Sequence, residues 1–268
     1  MRVLLVSDRM SHPGGAERYI EFLRDGLRAR GDEAVLISCM GGAFELALAS
    51  HYRIATDHPK TLLALPEVQI GLIPGAGGSQ RLPRLIGVRA ALDIILTGKN
   101  IRARKAMQIG LVDELVHPSI LKKIAIQRAL ELADGTIKHQ KHSGGVTGFL
   151  LDENPAGRRV VLKKAREETL RKTRGNYPAP LAAIDAVEAG YRGGASHGYR
   201  TESRLFGEMS MTDVCRQLIH IFFATTALKK DPGVPAGGGA PIPEILPIEK
   251  IGILGAGFMK EMVGRNRR

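Results

Sequence analysis

The chain has 268 residues, of which 44% are hydrophobic and 25% charged, the balance of an ordinary globular protein with a sizeable core. Its 39 basic and 27 acidic residues leave a net charge of +12, a field that favours anionic partners, while 4% aromatics and no Trp give no nucleic-acid-binding module. Cys39 and Cys215 give neither a disulfide framework nor a zinc quartet, and no apolar run is long enough to span a membrane. Asp8 and Arg9 cut short the apolar start that a signal peptide would need, so the expected location is cytoplasmic.

In chain order, Arg2–Ser7 reads as a strand, HPGGAER and the stretch to Arg30 as a glycine loop and helix, and Ala34–Ser38 as a second strand. From Gly42 the pattern changes. GAFELALAS reads as the first turns of a buried helix, and YRIATDH as a strand running into a loop. After Leu65-Pro66-Glu67, QIGLIPGAGGSQRLPRLIG reads as a glycine turn feeding a short helix. Residues 88–97 and 102–109 read as helices, 110–116 as a strand, 119–133 as a helix and 134–157 as loop. Four more helices are expected over 158–173, 179–192, 199–209 and 212–228. Residues 231–247 hold five prolines and four glycines and read as a linker, and 248–268 as the start of a nucleotide-binding strand and turn. The basic stretch from Arg158 to Arg174 reads as a solvated helix face, with an anionic, nucleotide-bearing thioester as the alternative.

The chemistry concentrates in residues 39–81. Glu45 and Glu67 lie 22 residues apart, each near backbone-permissive glycines in a stretch apolar enough to be buried. A carboxylate in that setting is costly unless it has a task or a partner, so the two read as a paired acid/base site. Each has a plainer alternative: Glu45 as a first-turn residue complementing its own helix dipole, Glu67 as a strand-end charge, and Gly75–Gly78 as a structural turn. The eight histidines show no metal-ligand spacing, and His139 and His142 read as loop residues.

GGAFELALA, LPEVQIGLIPGAGGSQRLPRLIG and TGKNIRARKAMQIGLVDELV, in that order, resemble the crotonase (enoyl-CoA hydratase/isomerase) superfamily. KTRGNYPAP and FFATTALKK resemble its multifunctional members, the fatty-acid oxidation α-subunits that join a hydratase to a 3-hydroxyacyl-CoA dehydrogenase. The likeness runs from Gly41 to Met259. It implies an α/β crotonase-like spiral of ββα units followed by a helical region, and hydration of a 2-enoyl-CoA to a 3-hydroxyacyl-CoA in β-oxidation. Glu45 and Glu67 would be the acid/base pair, the Gly42 N–H an oxyanion donor, and Gly75 a close approach of backbone to acyl group or water. No metal or cofactor is implied for hydration. NAD belongs only to a full-length parent, for which Gly255 and Gly257 resemble a dinucleotide turn, with Lys260 where a third small residue belongs. An acyl-CoA is the implied substrate, and a homo-oligomer or a thiolase subunit the implied protein partner.

Two departures qualify the resemblance. Residues 1–38 resemble the opening of a two-Rossmann-domain glycosyltransferase and stand where the crotonase front would be, and Ala43 replaces the third glycine of the usual triple. The domain reading is therefore 1–38 glycosyltransferase-like, 39–230 hydratase body with C-terminal helices, 231–247 linker and 248–268 a truncated dinucleotide-binding start. Strands and one oxyanion donor absent from the front would leave open sheet edges and an impaired hydratase. The alternatives are a sugar-nucleotide-dependent glycosyltransferase, supported by residues 1–38 and GGVTGFLLDEN, or a non-catalytic hybrid fragment.

Overall fold

The computed structural model describes the backbone of Arg2–Ser7, Glu33–Ser38 and Ala43, and residues 44–137 and 154–228 in full. Residues 1–225 form one compact unit and 226–268 a second, of which only 226–228, the end of the last described helix, are described. The Gly42, Gly255 and Gly257 assignments, the linker and the dinucleotide turn thus lie outside the described residues, as do most of the glycosyltransferase-like segment and GGVTGFLLDEN.

The described elements, in order, are β1 (Arg2–Ser7), β2 (Glu33–Ser38), α1 (Ala43–Leu48), β3 (Tyr52–Thr56), β4 (Leu62–Leu63), α2 (Gly78–Ile86), α3 (Val88–Thr97), β5 (Ile101–Arg102), α4 (Ala103–Gln108), β6 (Glu114–Val116) and α5 (Leu121–Ala133). The helices α6 (Pro155–Thr173), α7 (Pro178–Arg192), α8 (Gly194–Ser210) and α9 (Asp213–Leu228) complete them. The main sheet is parallel, in the order β2-β1-β3-β6, and β4 pairs antiparallel with β5. Leu4 of β1 pairs with Arg53 of β3, so the chain's own first strand covers that edge of β3. An N-terminal strand of either ancestry satisfies the same backbone donors and acceptors.

β3 (YRIAT) is buried from Arg53 onward, as befits a parallel strand covered on both faces. Alternation sends Ile54 into a small cluster with Val116, Leu121 and Ala125, and Ala55 into the main core. The strand expected over 110–116 shortens to β6, because Gly110 takes a left-handed φ of 76° and Asp113 turns back on Arg53. The Arg53 N–H donates to Asp113 Oδ2 at 2.7 Å, the Asp113 N–H returns to the Arg53 carbonyl at 2.8 Å, and the guanidinium pairs with the same carboxylate at 2.9 Å. Arg53 also donates to the carbonyls of Leu111 and Ser50, so this buried cation is surrounded by acceptors.

The helical region packs on that body through small residues. α7 buries Ala179, Ala182, Ala183, Ile184, Ala186, Val187 and Gly190. It approaches α8 so closely that a Cβ on Gly198 would lie 2.7 Å from the Gly190 Cα. α6 begins at Pro155, earlier than the sequence pattern suggests, because Asn154 caps it: its Oδ1 accepts the Ala156 N–H at 2.9 Å. α8 likewise starts at Gly194 rather than 199.

Candidate active site

Glu45 stands in the first turn of α1 and is 5% exposed. Its Oε1 serves a different helix. Oε1 accepts the N–H groups of Ala76 at 2.9 Å and Gly78 at 2.6 Å, the residues that open α2. Gly77, the N-cap, holds φ 98°, a conformation that favours glycine and turns these amides toward the acid. Free N–H groups and the positive end of a helix macrodipole favour an anion there. A Cβ on Gly78 would come within 2.6 Å of Glu45 Oε1, so the missing side chain is what lets backbone and carboxylate meet.

Glu67 opens a 3-10 turn, Glu67–Ile70, rather than ending a strand. Gly71 closes the turn in the left-handed region (φ 77°), and its N–H donates to the carbonyls of Glu67 and Val68. The Glu67 carboxyl is partly buried, and its Oε2 is a buried atom without a hydrogen-bond partner among the described residues. Burial pushes its pKa up from 4.5 to about 7; its own backbone N–H opposes the rise, and the charges of Glu45 and Glu202 add to it. Glu67 and Glu45 are thus brought to one site, close enough for their charges to interact.

The third carboxylate escaped sequence reasoning. Glu202 of α8 is 1% exposed, and its Oε1 accepts the Gly77 N–H at 2.6 Å while Oε2 accepts the Ser79 N–H at 3.0 Å and the Ser79 hydroxyl. Burial raises its pKa, the bonds from Ser79 and Gly77 lower it, and the Glu45 charge raises it; the net direction is upward. Glu202 lies 125 residues from Gly77 in a helix whose neighbours are charged, so no local pattern marks it. Gly75, the glycine expected to approach an acyl group or water, lies against α8: a Cβ there would sit 2.6 Å from the Phe206 ring. Among the described residues no group of three or more His, Cys, Asp or Glu could hold a metal ion, and no helix is long and apolar enough to cross a membrane.

Residues 34–143 match the family model for enoyl-CoA hydratase/isomerase. That match spans less than half of the chain. The crotonase-like α/β segment contains both Glu45 and Glu67, whereas Glu202 lies beyond it. Solved structures similar to the chain include an enoyl-CoA hydratase/isomerase from Pseudoalteromonas atlantica T6c, at 17% identity over 81% of this chain and 70% of that one, with a TM-score of 0.45. A carnitinyl-CoA hydratase from Mycobacterium avium gives 22%, 75%, 71% and 0.43 for the same quantities. An enoyl-CoA hydratase from Bacillus anthracis gives 25%, 83%, 70% and 0.35.

Proposed function

We propose that the chain's site is built for adding water across the double bond of a 2-enoyl-CoA, the hydration step of fatty-acid β-oxidation, with Glu45 and Glu67 as the acid/base pair. The observation that carries this reading is the Glu67 carboxyl, whose buried Oε2 has no protein hydrogen bond among the described residues and whose pKa is pushed up to about 7 beside a second, amide-held carboxylate. Near neutral pH such a group can hold a proton and give it up, which suits a general acid. Glu45, held at Oε1 by two N–H groups, is suited to accept a proton from water.

The step balances simply. Water loses a proton to Glu45 as its oxygen bonds Cβ, the double-bond electrons move toward the thioester, and Cα takes the proton of Glu67. Both glutamates then return to their starting states by proton exchange, with H2O as the net addition and no cofactor consumed. The Gly42 N–H, one residue before α1 in the sequence, is the proposed donor to the thioester oxygen, and Gly75 the proposed close approach to the acyl group. Crotonyl-CoA is the test substrate, followed by loss of the enoyl-thioester ultraviolet absorbance. Glu45→Gln and Glu67→Gln should each reduce the rate at least ~10²-fold, the scale of positioned proton transfer. Unchanged rates in both variants would overturn the assignment.

A further inference from the structure

Four consecutive amides, Ala76 to Ser79, are divided between two acids in strict alternation. Ala76 and Gly78 donate to Glu45; Gly77 and Ser79 donate to Glu202. Glu45 comes from the crotonase-like segment and Glu202 from the helical region outside it, so the turn is gripped from two sides by distant parts of the chain. The directions of these bonds are fixed by their surroundings. Gln80 Nε2 donates to the Ala186 carbonyl at 2.7 Å and to Ser79 Oγ at 2.9 Å, while Arg84 donates to Gln80 Oε1 at 3.3 Å. With its acceptor side taken by Gln80, the Ser79 hydroxyl donates to Glu202, whose two oxygens therefore receive three donors.

The arrangement is rigid behind Glu202 as well. Gln80, which orients Ser79, is fully buried, and a Cβ on Gly190 or Gly198 would fall 1.8 Å or 2.1 Å from its Oε1, so the α7–α8 crossing is shaped around this amide. On the carbonyl side of the turn, Arg81 Nη1 donates to the Ala76 carbonyl at 2.5 Å and its guanidinium lies 5.2 Å from the centre of the Tyr199 ring of α8. One helix thus fixes the turn through a carboxylate and an aromatic face together.

We propose that Glu202 is a positioning residue for the acid/base pair: by holding the Gly77 and Ser79 amides it sets the direction of the Ala76 and Gly78 amides, and these set the place of the Glu45 carboxylate. The proposal rests on the acid/base reading above for its catalytic meaning, but the coupling itself is a property of the turn. Coupling between two groups that share one element is reciprocal, so loosening the turn from one side must loosen it from the other.

The test is amide hydrogen exchange on the whole chain, isotopically labelled and read by NMR at residues 76–79, in wild type, Glu202→Gln and Ser79→Ala. In Glu202→Gln the Ala76 and Gly78 amides, which do not touch Glu202, should exchange at least about 10-fold faster, the scale of one charge-assisted hydrogen bond. With crotonyl-CoA, kcat should fall about 10-fold while KM changes less than about twofold, the pattern of a misplaced catalytic group rather than of lost binding. Circular dichroism checks that each variant is folded. Should Glu202→Gln fail there, Ser79→Ala, which deletes one hydroxyl and no buried acid, carries the test with the same pattern at smaller amplitude. Faster exchange confined to Gly77 and Ser79, with kcat unchanged, would reduce Glu202 to a helix cap and overturn the proposal. A wild-type chain with no hydration activity would sink the acid/base reading alone, because the exchange at Ala76 and Gly78 still decides the coupling.

Discussion

Replacing Glu67 with Gln should remove a specific pH dependence of stability. The folded chain raises the Glu67 pKa from 4.5 to about 7, chiefly because burial disfavours the charged form. Below about pH 4.5 the carboxyl is protonated in both folded and unfolded chains, and its contribution to stability is fully present. As pH rises, the unfolded chain ionises first, so the folded state is progressively disfavoured until Glu67 itself ionises near pH 7. At ~1.4 kcal/mol per pH unit, the whole change is about 3 kcal/mol, of which about 2.5 kcal/mol falls between about pH 5 and about pH 8. Urea unfolding followed by circular dichroism at several pH values gives the stability of each chain. Wild type minus Glu67→Gln should fall by that amount across the range, a subtraction that cancels Glu202 and the other titrating groups to first order. Parallel curves, with a constant difference, would show Glu67 to be an ordinary hydrated carboxylate and would refute the reasoning.

Three further substitutions follow from the geometry. Gly71→Ala places a Cβ at φ 77° and 2.8 Å from the Cys215 Cα of α9, and strain plus overpacking should cost about 2–4 kcal/mol in urea unfolding. Arg53→Ala removes a buried guanidinium that pairs with Asp113 and holds the carbonyls of Ser50 and Leu111; a loss of about 2–4 kcal/mol is expected, and one below about 0.5 kcal/mol would mean that β3 and β6 do not depend on it. Gly78→Ala pushes a methyl to within 2.6 Å of Glu45 Oε1, and should lower crotonyl-CoA hydration about 10-fold in a chain that circular dichroism finds folded.

Much of the body was legible in the sequence because local rules and tertiary demands agree there. The apolar spacing of Val88–Thr97, with Gly98 left-handed behind it at φ 61°, marks one helix and its end without any knowledge of its neighbours. Glu45 and Glu67 were legible as costly residues in apolar surroundings, and the fold buries Glu45 and raises the Glu67 pKa by burial. Their detailed roles were less so. The first turn of α1 is where a glutamate would complement its own helix, yet the Glu45 carboxylate serves α2, a choice made by the fold around Gly77 and Gly78. Glu202 was illegible for a related reason: its value comes from a contact across 125 residues, and its helix presents no signal but one more acid among exposed charges. The shortened β6 was missed because Leu111 and Val112 are buried without being in a strand, and burial alone does not distinguish the two. The covered edge of β3 depends on a pairing between segments of different resemblance, which no local pattern records.

The central claim is that Glu45 and Glu67 act together on a 2-enoyl-CoA. It is tested most directly by crotonyl-CoA hydration measured side by side for the wild-type chain, Glu45→Gln and Glu67→Gln. The account predicts a measurable wild-type rate that falls at least ~10²-fold in each variant, with the double variant no worse than the poorer single one, as for groups that act as a unit. No wild-type hydration, or a rate that survives both substitutions, would contradict it.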